Sequence, residues 1–271
     1  MKHDIKTMHL FAGIGGGLLA DLILGHRPIV AVEWDAYACK VLRERAADGW
    51  FPGLSVWEGD VRLFNPSEYT GNVDCIHAGF PCQDISVAGK QAGVSEGTRS
   101  GLYREVLRIA GVVRPRQLFL ENVSAILSNG LGTVLGDLAA LGYDTRWLCI
   151  RASDVGAPHH RDRWFLLSHN NSDDRSASVM GQNTGSDGWN ESCGMGQILA
   201  DTDSAQRERK KFAQRSQQEY TDLSFASWWE IEPELGRVAH GISNRVGQLK
   251  GYGNAQVPLQ AATAYRLLGG L

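Results

Sequence analysis

The chain has 271 residues, 43% of them hydrophobic and 21% charged, enough to bury a full core as one large domain or two unequal ones. No apolar run approaches the length of a membrane span, the start (Met1-Lys2-His3-Asp4) lacks a signal-peptide pattern, and the net charge of -3 does not advertise a nucleic-acid binder, although a local basic groove can coexist with an acidic outer surface. Five cysteines with no Cys-x-x-Cys spacing argue against a disulfide framework and a structural zinc site, and for a reducing compartment.

Short apolar runs alternate with amphipathic stretches along the first part of the chain. Strands are predicted over residues 7–11, 29–33, 54–57, 73–78, 117–121, 145–150 and 164–168, and helices over 17–24, 36–47, 102–113 and 131–141. Such alternation predicts an α/β domain with a mainly parallel sheet and helices on both faces, whose ligands bind beyond the carboxyl ends of the strands. The glycine loop, Glu33, Asp60, Cys82 and Glu121 all fall just after proposed strands, so one rim can hold them together. After residue 168 the texture changes. Residues 169–186 are dense in Asn, Ser, Asp and Gly, residues 201–219 are strongly polar, and residues 223–231 carry Trp228-Trp229. Residues 169–235 therefore read as a separate small region, and 255–268 as a closing amphipathic helix that returns to the first domain.

Phe11-Ala12-Gly13-Ile14-Gly15-Gly16 sits between a strand and a helix, where glycines let backbone approach a ligand and leave helix N–H groups free. Glu33 ends the next strand, twenty positions after Gly13, a spacing that suits a carboxylate on ribose hydroxyls. Trp34 could lie against an adenine ring, and Asp60 could accept from its amino group. These features fit NAD, FAD or S-adenosylmethionine; Leu18 stands where a dinucleotide loop has its third glycine, which tilts the reading away from dinucleotides.

Pro81-Cys82-Gln83 closes an apolar run at the lip of a glycine-rich segment, a good place for a nucleophile. Glu121, after Leu118-Phe119-Leu120, is placed for burial to raise its pKa, and Arg161 and Arg163 form a cationic pair. A thiolate adding to carbon 6 of cytosine makes carbon 5 an enamine nucleophile, and an acid at ring nitrogen 3 eases the addition. Cys39, Cys75 and Cys149, in apolar stretches, read as core, and His159-His160 as loop histidines rather than metal ligands.

These pieces together resemble the DNA cytosine-5 methyltransferase family: residues 11–16, Glu33-Trp34, Gly59-Asp60, Gly79-Phe80-Pro81-Cys82-Gln83, Glu121-Asn122-Val123, residues 158–163 and Gly253-Asn254-Ala255 stand in family order. The resemblance implies a Rossmann-like S-adenosylmethionine-dependent fold, with residues 1–168 and 236–271 holding cofactor and chemistry and 169–235 reading sequence. Cys82 then resembles the nucleophile, Glu121 the ring-nitrogen acid, Arg163 the base-carbonyl contact and Arg161 its support. Phe11, Gly13, Gly15, Gly16, Glu33, Trp34, Asp60, Pro81 and Asn254 resemble cofactor contacts. Residues 83–101 look like a loop closing over a flipped base, with Ser86, Lys90, Gln91 and Arg99 toward DNA. His159 stands where the family has glutamine. The implied donor is S-adenosylmethionine and the implied partner double-stranded DNA, with no metal and no membrane, the protein acting as a monomer in a bacterial cytoplasm in a restriction-modification or phage context. An RNA cytosine-5 methyltransferase, a catalytically silent binding protein and a nicotinamide oxidoreductase are the rivals. Amino-group methyltransferases are set aside because the chain has no Pro-Pro.

Overall fold

Strands β1 (Lys6–Leu10), β2 (Arg27–Glu33), β3 (Ser55–Glu58), β4 (Cys75–Gly79), β5 (Gln117–Val123), β6 (Tyr143–Arg151) and β7 (Asp162–Asn170) form one sheet in the order β3-β2-β1-β4-β5-β7-β6. The structure, a computed structural model, describes residues 4–81, 101–171, 251 and 255–270. The first five strands pair in parallel, and β7 runs antiparallel to both β5 and β6. The mainly parallel α/β sheet is the one the apolar alternation predicts.

Helices follow where local chemistry starts and stops them. In α1 (Gly16–Leu24), the N-cap Gly15 and C-cap Gly25 both lie in the left-handed region that glycine tolerates best. Asp35 caps α2 (Ala36–Ala47), its carboxylate accepting from the N–H groups of Tyr37 and Ala38. The helix α3 (Gly101–Val113) buries Tyr103, Val106, Ile109, Ala110 and Val113, an apolar stripe at helical spacing. A short α4 (Ile126–Asn129) leads into α5 (Leu131–Ala140). The closing helix α6 (Pro258–Leu267) starts at its proline, three residues later than the sequence suggests, because Pro258 suits a first helical turn and Val257 is extended.

Residue parity along the strands divides the core. Met8, Leu10, Ile76, Ala78, Leu118 and Leu120 face α3 and α5, while Cys75, Phe119, Phe165 and Leu167 pack with Ala261, Ala262, Ala264 and Tyr265 of α6. Each such fully buried Leu or Ile is worth about 1.5–3 kcal/mol over its exposed state. The strands β5, β6 and β7 each run longer than predicted, since Asn122 and Val123 of β5, Asp144 and Arg151 of β6, and Asp162 and Arg163 of β7 stay in register across the antiparallel ladder. Glu121 consequently lies inside β5 rather than just beyond it. Cys39 and Cys75 are core, as read, but Cys149 is exposed. On the edge strand β6 the alternation buries Leu148 and Ile150 and turns Cys149 outward.

Candidate active site

The register sets one rim. Leu10 pairs with Val32 and Ala78, Glu33 with Glu58, and Gly79 with Glu121, so the carboxyl ends of β1 to β4 and the distal half of β5 open on the same side. Strand order reverses between β1 and β4, the place where open α/β sheets leave a crevice. A small cleft lies there, lined by Leu10, Phe11, Ala12 and Gly13 on one side and by Gly79, Glu121 and Gln256 on the other.

The glycine loop is held from below. Phe11 and Gly13 adopt positive φ (57° and 54°), and Gly13 N–H donates to Glu33 Oε2 at 2.7 Å. Glu33 Oε1 accepts from the N–H groups of Trp34 and Asp35, both at 2.9 Å. Glu33 thus ties the loop to the start of α2 and keeps about one of its roughly four acceptor sites for a ligand. The three glycines differ in task. A Cβ at Gly13 would meet nothing within 4 Å, so its backbone lies open to the cleft. A Cβ at Gly15 would stand 3.0 Å from Leu42, and one at Gly16 only 2.4 Å from the Gln256 carbonyl oxygen. Gly15 and Gly16 therefore also make room for neighbouring protein. Trp34 is 74% exposed. Asp60 caps a short 3-10 turn and grips the Arg62 guanidinium through both oxygens at the surface.

Glu121 is a carboxyl of the rim held by an arginine. Its side chain is 13% exposed and its Oε1 lies 3.0 Å from Arg163 Nε. Gln256 Nε2 donates to its Oε2 at 3.4 Å. Burial raises the Glu121 pKa above the ordinary carboxylate range, and Arg163, the Gln256 amide and Arg161 offset only part of that rise. Arg161 has an unusual positive φ of 31°. Its guanidinium donates to the Ala255 carbonyl at 2.7 Å, and its own carbonyl accepts from Gln260 at 2.9 Å. Arg161 therefore fastens the segment before α6 to the rim, while Arg163 touches the acid. His159 and His160 are exposed loop residues.

Pro81 is exposed at the end of the β4 segment, and Asn122 fixes that segment by donating to the buried Phe80 carbonyl at 3.1 Å. The sequence signalled Asn122 only as a neighbour of Glu121. Gln256 went unmarked, and so did a buried polar cluster beneath the loop. There Asp21 of α1 accepts from Thr7, lies 2.7 Å from His9 Nε2 and 3.6 Å from His26 Nδ1, while the His77 ring lies tilted against His9 with centroids 4.9 Å apart. Burial would raise Asp21, but His9 and a His26 hydrogen bond hold it well below the usual carboxylate range. Burial pushes His77 down to about 3. His9, Asp21 and His77 are the one group of ligand-type side chains gathered this closely among the described residues, and His9 and Asp21 are already spent on each other. Cys82, Ser86, Lys90, Gln91, Arg99 and Asn254, and the recognition region beyond residue 171, lie outside the described residues.

The model of the C-5 cytosine-specific DNA methylase family matches residues 5–256. The chain belongs to that family. It is 38% identical over 168 residues to the type II methyltransferase M.CviJI of Paramecium bursaria Chlorella virus IL3A, covering 61% of this chain and 43% of that protein. It is 33% identical over 166 residues to M.NgoBI of Neisseria gonorrhoeae, covering 60% and 50%. A solved structure named as a DNA modification methyltransferase encoded within an E. coli prophage superposes with a TM-score of 0.50 at 28% identity, over 62% of this chain and 47% of that one. The chain spans about half the length of the curated relatives it matches. Among the described residues, no helix of this family member is long and apolar enough to cross a membrane.

Proposed function

We propose that the chain is a DNA cytosine-5 methyltransferase that uses S-adenosylmethionine and forms a transient covalent bond between Cys82 and a flipped-out cytosine. The observation that carries this reading is the Gly79–Glu121 register pair. It sets the strand leading to Pro81 and Cys82 beside a buried, arginine-held carboxyl whose pKa is raised. The residues present suit the donor: Gly13 lines the cleft with open backbone, Glu33 behind it has an acceptor site to spare, and the next residue, Trp34, offers an exposed indole. When bound, S-adenosylmethionine supplies an electrophilic methyl group; Phe11, Gly13, Glu33, Trp34, Asp60, Pro81 and Asn254 would hold it, while Gly15 and Gly16 support the loop.

The residues divide the work. The Cys82 thiolate adds to carbon 6 of the base while Glu121, holding its proton, gives it to ring nitrogen 3. Arg163 orients the carboxyl and faces the base carbonyl, and Arg161 braces the segment behind it. Carbon 5 takes the methyl from the sulfonium donor, leaving a neutral thioether; a base or water then removes the carbon-5 proton, the carbon 6–sulfur bond breaks to restore the ring double bond and the Cys82 thiolate, and ring nitrogen 3 returns its proton to Glu121. The base must leave the stack because attack comes from above the ring. Residues 83–101 close over it, with Ser86, Lys90, Gln91 and Arg99 on phosphates, and residues 169–235 read sequence in the major groove. We place the protein in a bacterial cytoplasm, as a monomer without a metal, in a restriction-modification or prophage setting; the bacterial and viral relatives support that setting. Bisulfite sequencing of DNA from cells expressing the chain tests the reading. Cytosines protected at one short motif are expected; an unprotected genome, with methyl label entering tRNA instead, would overturn it.

A further inference from the structure

We propose that Gln256 is a positioning residue for Glu121: its side-chain amide bridges the acid and the buried His77 ring, fixing the carboxyl's second oxygen and setting the pH at which Glu121 gives up its proton. The inference rests on the acid role proposed for Glu121.

Three observations place the amide. Its Nε2 donates to Glu121 Oε2, on the carboxyl oxygen that Arg163 does not hold. Its other end, Oε1, lies beside the Cε1–Nδ1 edge of the His77 ring next to Gly17, and an amide oxygen can only accept, so the ring is the donor there. Two glycines from different elements clear the path between them. A Cβ at Gly79 would stand 3.0 Å from Gln256 Nε2 and 3.1 Å from Glu121 Oε2; one at Gly17 would stand 2.8 Å from Gln256 Oε1 and 2.9 Å from the His77 ring. The bare backbones of β4 and α1 thus leave a slot one amide wide. Gly16 fixes the amide's own backbone at the same point.

The chemistry follows from the orientation. With its oxygen facing the His77 N–H, the amide offers N–H to Glu121. An ionised carboxylate can only accept, so this hydrogen bond favours the ionised form and opposes burial. The charges facing Glu121 are Arg163 on β7 and Arg161 before it, which act in the same direction. Those facing His77 are His9 on β1, Asp21 on α1 and His26. Without Gln256, Glu121 should keep its proton to higher pH and lose one of its two tethers.

The test is a titration of the Glu121 side-chain carboxyl by 13C NMR in the full chain without ligands, with the resonance assigned from Glu121→Gln. Gln256→Met keeps the volume and removes the amide, and should move the titration upward by roughly one pH unit, the scale of a hydrogen bond to a charged group. Gln256→Glu places a second carboxyl there and should move it upward as well. An unmoved titration in either folded variant overturns the inference. Methyl incorporation from S-adenosylmethionine into unmethylated duplex DNA separates this from the acid assignment. Transfer needs protonated Glu121, so the falling alkaline limb should shift upward in Gln256→Met and vanish in Glu121→Gln. A limb that persists unchanged in Glu121→Gln would remove the acid role and leave the NMR result to judge Gln256. A Gln256→Met limb that stays in place with a lower rate at every pH would mean a merely structural contact.

Discussion

Acidification should unfold this protein earlier than its surface charge suggests, and His77 is the reason. Burial holds the ring's pKa down to about 3 against an ordinary value of 6.5. Its Nε2 has no hydrogen-bond partner among the described residues, so a protonated ring would bury an unpaired charged N–H. The sign follows from linkage. A histidine whose folded pKa is depressed contributes stability above its unfolded pKa and loses it as pH falls, because the unfolded chain binds the proton first. Between pH 7.5 and 4.5 the loss from this one group is on the order of 2–3 kcal/mol, most of it below pH 6.5. Asp21 acts in the same direction but only at lower pH, since its carboxyl leaves the unfolded state's charged form below about pH 4. Urea unfolding followed by circular dichroism at pH 7.5, 5.5 and 4.5 measures the effect. His77→Gln should flatten the dependence by roughly 2–3 kcal/mol across that window. Parallel curves for the two proteins would show that the ring is protonated or hydrated in the fold, and would refute the reasoning.

Two further outcomes concern the rim. Glu121→Gln should slow methyl transfer by about 10²–10⁴-fold with cofactor affinity little changed, measured by single-turnover kinetics and calorimetry. The same variant should be no less stable than the parent at pH 8: the carboxyl's raised pKa means that its charge costs the fold energy above that pKa and nothing below the ordinary carboxylate range. Gly16→Ala should destabilise by about 1–3 kcal/mol in urea, because its Cβ meets the Gln256 carbonyl oxygen at 2.4 Å and backbone must move; an unchanged midpoint would mean that the closing segment does not pack there.

Much of the frame was legible in the sequence because burial on both faces writes strands as apolar runs: Ile29 to Glu33 and Gln117 to Glu121 announced themselves, as did the helix over residues 36–47. Their positions at strand ends placed the glycine loop, Glu33 and Glu121 on one rim, but that Glu33 holds the loop from below and that Glu121 pairs with Gly79 only the structure shows. Other features depended on information that the chain does not carry locally. Cys149 sits among apolar neighbours, yet its side of β6 faces outward, and only the sheet order reveals which strand is the edge. His9, Asp21 and His77 are 12 to 68 positions apart and each reads alone as an unremarkable polar residue; parity on β1 and β4 and the turn of α1 gather them. Gln256 lies 135 residues from Glu121, and nothing short of the packed structure places its amide between two glycines. That Gly15 and Gly16 also make room for Leu42 and Gln256 was likewise not visible in the motif.

The sharpest test concerns Cys82, one peptide bond beyond Pro81. Duplex DNA with every cytosine replaced by 5-fluorocytosine cannot lose the substituent at carbon 5, so an enzyme that bonds to carbon 6 and transfers a methyl group stays attached. Incubated with S-adenosylmethionine, the protein should form a denaturation-resistant conjugate with that DNA, and Cys82→Ser should form none. A protein that methylates ordinary duplex DNA yet never yields the conjugate, or a Cys82→Ser variant that yields it unchanged, would contradict attack by this sulfur.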